Sequence, residues 1–236
     1  TVSLARWTPR CIHSILHRPR RLVSRMLSRF FITGTDTSVG KTVVSALLCA
    51  ALDAIYWKPI QTGTREGADR ATVMRIARVP KNRALPEAYR FAPPVSPHLA
   101  ARLAGVRIEL RKIKMPHIAQ SENLIVEGAG GAFVPVNSTQ LMTDLMVHLG
   151  LPVILVARTS LGTINHTLLS IAALRAARLD LRGVIMVGKA NRENRAAIEH
   201  YGEIEVLGNV PMLARINRAA LIRVFREKFN REVFVA

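Results

Sequence analysis

The sequence predicts an α/β protein, a parallel sheet with helices on both faces, and two patterns carry that expectation. From residue 30 onward, short apolar runs alternate with stretches of helical periodicity across short connections, the order that winds a parallel sheet between two helical layers. The runs are apolar throughout rather than at every second residue, as strands covered on both faces are. Strands are expected at 30–33, 55–58, 123–127, 152–157, 183–187 and 205–207. Helices are expected at 41–52, 69–77, 143–149, 164–177, 192–201 and 216–229, and the proline-rich stretch 91–97 reads as an ordered surface loop. The expected organisation is one three-layered domain over residues 30–236 behind a basic extension, residues 1–29.

At 236 residues and 49% hydrophobic, the chain can bury a core without disulfides or a structural metal and is too apolar to be generally disordered. Uncharged apolar stretches such as 151–157 fall far short of the ~18 residues a membrane span needs. Cys11 and Cys49 are too few for a disulfide framework or a thiolate zinc site, and Cys49, inside an apolar helical pattern, reads as a core thiol. The expected location is the cytoplasm.

The net charge is +18, of which seven arginines in residues 1–29, unaccompanied by any acid, supply +7. The surplus is read first as a solvated cationic surface, although it also suits anionic partners. With 5% aromatic residues there is little to stack nucleobases on, and no nucleic-acid partner is expected. Leu22, Val23, Met26 and Leu27 share a helical face with arginines off it. The extension is therefore either a mitochondrial transit segment or upstream reading frame before a start at Met26. The second reading is preferred, because nothing folded needs residues 1–25.

The strongest local signal runs from Phe30 to Thr42: an apolar strand, then Gly34-Thr35-Asp36-Thr37-Ser38-Val39, then Gly40-Lys41-Thr42 opening a helix. This is the order of a phosphate-binding loop, in which backbone N–H groups and a helix N-terminus cradle a polyphosphate. Lys41 would reach the β- and γ-phosphates and the Thr42 hydroxyl would ligate magnesium. The first glycine stands at Gly34, one residue earlier than the usual spacing, which puts Thr35 there. The expected fold is thus of the P-loop NTPase type with a deviant loop.

Phosphoryl transfer also needs carboxylates for the metal and cations for developing charge, all at the carboxyl ends of strands. Glu127 is expected to end a strand and enter Gly128-Ala129-Gly130-Gly131. Asp69 opens a helix, where it is either a cap or a metal ligand. Lys58 ends a strand before Pro59, where it is either a snorkelling surface lysine or a phosphate contact.

In these residues the chain resembles the dethiobiotin synthetase family of ATP-dependent cyclo-ligases. The matching pieces are 33–37 with 39–42, then Lys58-Pro59 with Thr62-Gly63, then Asp69, Pro94 to His98 and Val126 to Gly131. Leu151 to Val156, Leu161 to His166 and Leu207 to Pro211 complete the ordered set, and the shifted first glycine is itself a family feature. The resemblance implies that carbon dioxide and one amine of 7,8-diaminononanoate form a carbamate. ATP phosphorylates the carbamate to a mixed anhydride, and the second amine closes the ureido ring. It implies catalytic roles for Thr37, Lys41 and Lys58, substrate contact by Thr62, and magnesium on Thr42, Asp69 and Glu127. It implies nucleotide contacts by Ser38, Val39, Gly40, Lys41, Thr42 and Val43, by Asp69, Glu127, Gly128, Ala129 and Gly130, and by Val187, Gly188 and Pro211. Gly162, Thr163 and Asn165 would bind the substrate carboxylate of a neighbouring subunit, which requires a homodimer. His98 and His166 receive no role.

Two departures stand out. Ser38 replaces an acid that some members carry, and Val187-Gly188-Lys189 replaces an Asn-Asp pair with which some read adenine. Valine has no amide to offer, so base selectivity is expected to be loose and to rest on backbone near Asn209 to Leu213. The competing reading is a related deviant-loop ATPase of the partitioning or amidating type using its basic surface on DNA or membrane.

Overall fold

The computed structural model describes residues 28–65 and 67–235, so the readings of residues 1–25, of the 22–27 face and of Cys11 lie outside the described residues. In chain order the elements are β1 (Arg29–Gly34), α1 (Lys41–Leu52), β2 (Ile55–Trp57), β3 (Ile60–Gln61), α2 (Asp69–Ala77), β4 (Tyr89–Arg90), α3 (Pro97–Leu103), β5 (Leu124–Gly131) and α4 (Met142–Leu149). There follow β6 (Val153–Arg158), α5 (Thr163–Ala176), β7 (Leu181–Val187), α6 (Arg192–Gly202), β8 (Val206–Val210), α7 (Arg218–Lys228) and α8 (Glu232–Val235). The main sheet has the order β2-β5-β1-β6-β7-β8 with every pairing parallel.

Continuous apolarity along the strands has its cause in two separate cores. On one face Ile32, Tyr56, Ile125, Ile154, Val156 and Ile185 pack with α1, α2 and α7 through side chains such as Val44, Leu48, Val73, Leu221 and Phe225. On the other face Phe31, Trp57, Val126, Leu155 and Met186 pack with α3, α4, α5 and α6 through Ala100, Met146, Leu174 and Ile198. Neighbouring residues on a strand therefore alternate between two dry layers, and both sets are apolar apart from residues such as Thr33 and Glu127. Cys49 is buried in the α1 layer as an unpaired thiol.

Three expectations need correction. Glu127 does not end its strand: β5 continues through Gly131, and Glu127 pairs with Ile32 in its interior. The glycines mark close approach rather than a loop, since a Cβ on Gly128 would lie 2.8 Å from Phe31 Cε1. Lys58 follows β2, which closes at Trp57. The stretch 91–97 is a loop only to Ser96, because Pro97 opens α3, where a first-turn proline costs no hydrogen bond. The short β3–β4 parallel pair and α8 were not expected at all.

Candidate active site

The phosphate loop leaves β1 at Gly34 and enters α1 at Lys41. Gly40 precedes the helix at φ 103°, in the left-handed region, and a Cβ there would meet Val187 Cγ1 at 2.9 Å, so both backbone and space demand glycine. Ser38 also adopts a positive φ, 58°. The first α1 amide with a backbone acceptor is that of Val44, on Gly40 O at 3.0 Å, which leaves the amides of the first turn to an external anion. Lys41, 7% exposed, donates from Nζ to Asp36 O at 2.8 Å. Asp36 is fixed in turn, accepting Thr37 N at 2.6 Å and pairing with Arg158 Nη2 at 2.9 Å.

Beside the loop, four chain segments converge. β2 and β5 are neighbours, with Tyr56 opposite Ile125 and Trp57 opposite Val126. Residues two apart on a strand share a face, so Tyr56, Lys58 and Glu127 meet on the α1 side. Lys58 is 6% exposed and Glu127 is 0% exposed, which removes the reading of Lys58 as a snorkelling surface lysine. Lys58 Nζ donates to Asp69 Oδ2 and, at 3.1 Å, to Glu127 Oε1. Thr42 Oγ1 lies 2.9 Å from Asp69 Oδ1 and 3.0 Å from Glu127 Oε1. Asp69 is not the α2 cap, which is Ala68 without a side-chain bond. Its carboxylate turns into the cluster while its own N–H donates to Gln61 Oε1 at 3.1 Å.

The electrostatics follow from burial and pairing. Burial dominates at Lys41 and lowers it to about 8, with Glu127 pulling the other way. Burial alone would lower Lys58 too, but the charges of Glu127 and Asp69 and their hydrogen bonds outweigh it and hold the ammonium above its ordinary value. Burial opposes the Asp69 carboxylate, yet Lys58 and the hydrogen bonds from Lys58, Thr42 and Gln61 hold its pKa below the usual range. Burial and then the Glu127 charge push the Tyr56 phenol well above its ordinary value.

The cluster borders a cleft of about 610 Å³. Of the residues singled out in the sequence, Thr37, Ser38, Gly40, Lys41, Thr42, Val43, Lys58, Thr62, Asp69, Glu127, Ala129 and Gly130 line it. Val39 is buried beneath the loop and Gly128 is buried in β5. Val187 packs against Gly40 instead of facing the cleft; Gly188 O accepts from Asn209 Nδ2 at 3.0 Å, and Pro211 follows β8. Gly162, at φ 89°, precedes α5, with Thr163 buried and Asn165 exposed, away from this cleft. Three participants were not read from the sequence. Gln61 and Arg158 carry no motif, and Tyr56 shows only as a hydroxyl in an apolar run two residues before Lys58.

Oxygen donors alone converge on the cleft from Thr42, Asp69 and Glu127, the hard-donor set that suits magnesium shared with substrate phosphates and water. Among the described residues no group of three or more His, Cys, Asp or Glu forms a self-sufficient metal cage. The donors present therefore fit magnesium that arrives with a nucleotide.

A strand, a glycine-bent loop and a helix N-terminus beside a lysine and two carboxylates define a P-loop NTPase-type α/β protein. The backbone is similar to that of a ParA family ATPase from Chlorobium tepidum TLS, with TM-score 0.51 over 84% of this chain and 90% of that one at 13% identity, a likeness of fold alone. A family model described as an AAA domain matches residues 28–220. An ATP-dependent dethiobiotin synthetase from Novosphingobium aromaticivorans is 49% identical over 208 residues, 88% of this chain and 100% of the relative. Its counterparts from Brucella melitensis biotype 2 and Rhodopseudomonas palustris BisB18 are each 46% identical over 89% of this chain, and over 98% and 100% of their own lengths. The chain belongs to the dethiobiotin synthetase family, whose members are ATP-dependent ligases. No helix among the described residues is long and apolar enough to cross a membrane.

Proposed function

We propose that the protein is an ATP- and magnesium-dependent cyclo-ligase. It carboxylates 7,8-diaminononanoate with carbon dioxide and closes the ureido ring of dethiobiotin, releasing ADP and phosphate. The observation that carries this reading is the position of Lys58. It is buried at 6% exposure yet lines the same cleft as Lys41, so two ammonium groups flank one space where a terminal phosphoryl group and a carbamate can meet.

One amine of the substrate adds to carbon dioxide and loses a proton, giving a carbamate. A carbamate oxygen attacks the γ-phosphorus in line, the bond to the bridging oxygen breaks, and ADP departs. The second amine then attacks the carbonyl carbon of the mixed anhydride and gives up a proton to the departing phosphate, and the ring closes. No side chain has to act as nucleophile; the protein contributes position and charge. Lys41 exchanges the Asp36 carbonyl for the β- and γ-phosphates, while Lys58, Thr37 and Thr62 hold the carbamate against the γ-phosphate. Thr42, Asp69 and Glu127 would hold magnesium, which when bound would supply positive charge to phosphate oxygens.

Gly162, Thr163 and Asn165 complete the site of a neighbouring subunit by receiving the substrate carboxylate at the start of α5, a helix of 14 residues. Exposed Phe133 and Leu169, which border a hollow with His166 beside α5, support a homodimer across that face. The base is held by backbone around Asn209 to Leu213 with Val187, Gly188 and Pro211, without a side-chain amide at 187. The same proposal takes residues 30–236, together with Arg29, which opens β1 opposite Leu124, as the catalytic unit, and the cytoplasm as its location.

The test is ATP turnover with diaminononanoate, bicarbonate and magnesium supplied singly and together. Turnover that requires all three, with dethiobiotin as product, is the expected result. Turnover stimulated by DNA and weakened by salt would instead identify a partitioning-type ATPase.

A further inference from the structure

Glu127 has two carboxylate oxygens, and the structure divides them. Oε1 joins the cluster that lines the cleft, 3.1 Å from Lys58 Nζ and 3.0 Å from Thr42 Oγ1. Oε2 points into the protein and accepts from the Tyr56 hydroxyl at 3.0 Å. Tyr56 is wholly buried, as is Glu127, so the bond is shielded from bulk solvent. The tyrosine itself is rigidly mounted. Its backbone pairs with Ile125 of β5, its carbonyl accepts from Leu85 N at 2.8 Å, and its ring is packed in the α1-side core. The last torsion of a glutamate side chain has a broad, roughly two-fold preference, so without a partner on Oε2 the carboxylate plane would be free to turn.

We propose that Tyr56 is a positioning residue for metal binding: its hydroxyl fixes the Glu127 carboxylate so that Oε1 alone is presented to the magnesium ion of the nucleotide complex. The inference rests on the reading of Glu127 as a magnesium-binding residue. Tyr56 touches neither nucleotide nor substrate and acts only through that side chain. Outer partners of metal-binding carboxylates characteristically set affinity by orientation, and their removal costs roughly 10–100-fold.

The experiment measures the dissociation constant of a non-hydrolysable ATP analogue by calorimetry, in EDTA and in saturating magnesium, for the full-length protein, Tyr56→Phe, Glu127→Gln and the double variant. The ratio of the two constants reports how strongly magnesium and nucleotide support each other. Tyr56→Phe keeps the ring in the core, and its constant in EDTA is expected within twofold of the parent, which shows an intact nucleotide site. Its magnesium ratio is expected to fall by about tenfold, and in the Glu127→Gln background the tyrosine change is expected to add nothing. A ratio unchanged in Tyr56→Phe, whether both constants hold or both weaken equally, overturns the positioning role. If Glu127→Gln itself leaves the ratio unchanged, the assignment of Glu127 to the metal fails and the inference falls with it. A fall in Glu127→Gln without one in Tyr56→Phe overturns the inference alone.

Discussion

At the edge where β2 meets β5, Tyr56, Lys58 and Glu127 are buried and bonded to one another. At the opposite side, beyond β7 and β8, Met212 is 81% exposed, Leu161 at the approach to α5 is fully exposed, and Val187 offers the cleft no polar atom. The first region is preorganised, with both carboxylates sharing the Lys58 ammonium. The second is open surface completed by what binds to it. The contrast matches the demands of the proposed reaction. Charge developing on a transferred phosphoryl group is stabilised best by groups already in place, whereas a base and a second subunit need only contact.

The largest expected effect lies in the preorganised region. Lys41→Ala should lower dethiobiotin formation by ~10³-fold, the scale of losing a charged transition-state contact, while the thermal midpoint moves little. The midpoint should hold because burial already works against the Lys41 charge. Product formation alongside a thermal melt decides it, and undiminished product would break the comparison.

Next in size is Lys58→Met. It leaves the buried Glu127 carboxylate, and the half-buried Asp69 beside it, without their cation, at a cost of about 3–5 kcal/mol in unfolding free energy. Magnesium should restore most of that loss in the variant and do far less for the parent. Denaturant titrations with and without magnesium measure both. A variant insensitive to the ion would remove these carboxylates from any metal site.

A smaller effect comes from pH. With Lys41 near 8 in the free protein, a triphosphate beside it favours the ammonium and raises its pKa. Between the free and bound values, nucleotide binding takes up a proton. Affinity is therefore constant below about 8 and falls as pH rises through it, by up to about tenfold per unit. Calorimetry in buffers of different ionisation enthalpy at pH 8.5 should detect the uptake, and a pH-independent affinity between 7 and 9.5 would contradict it.

The smallest effect belongs to the open region. GTP and CTP should compete with ATP to within about tenfold, since an amide pair worth roughly 1–1.5 kcal/mol is missing at Val187. Strict ATP preference in a competition assay would show that backbone at Asn209 to Leu213 reads the base unaided.

Legibility divides along similar lines. The α1 and α2 spans follow from the sequence residue for residue, because a phosphate loop and an acid-led apolar repeat are local signals. The six main strands follow because burial on two faces writes itself as continuous apolarity. The β3–β4 pair, two residues on each side, exists only through contact between distant segments and leaves no period to detect. The glycines after Glu127 read as a loop, since sequence cannot reveal that Phe31 stands against Gly128 and requires a strand without a side chain. The lysines and acids of the site were visible as residue types at strand and helix ends. Tyr56 was not, because its task depends on which of two carboxylate oxygens points inward.

Val187 closes against Gly40 tightly enough that a Cβ on the glycine would lie 2.9 Å from it. In the proposed reading, a position beside the nucleobase is thus also a wall of the bend that shapes the phosphate loop. In a lineage of such enzymes the two traits cannot drift independently: a side chain recruited at 187 for reading a base also alters how firmly the phosphates are gripped. Loose base selectivity, where the competition assay finds it, would then be the by-product of a well-seated glycine rather than a trait under selection in its own right.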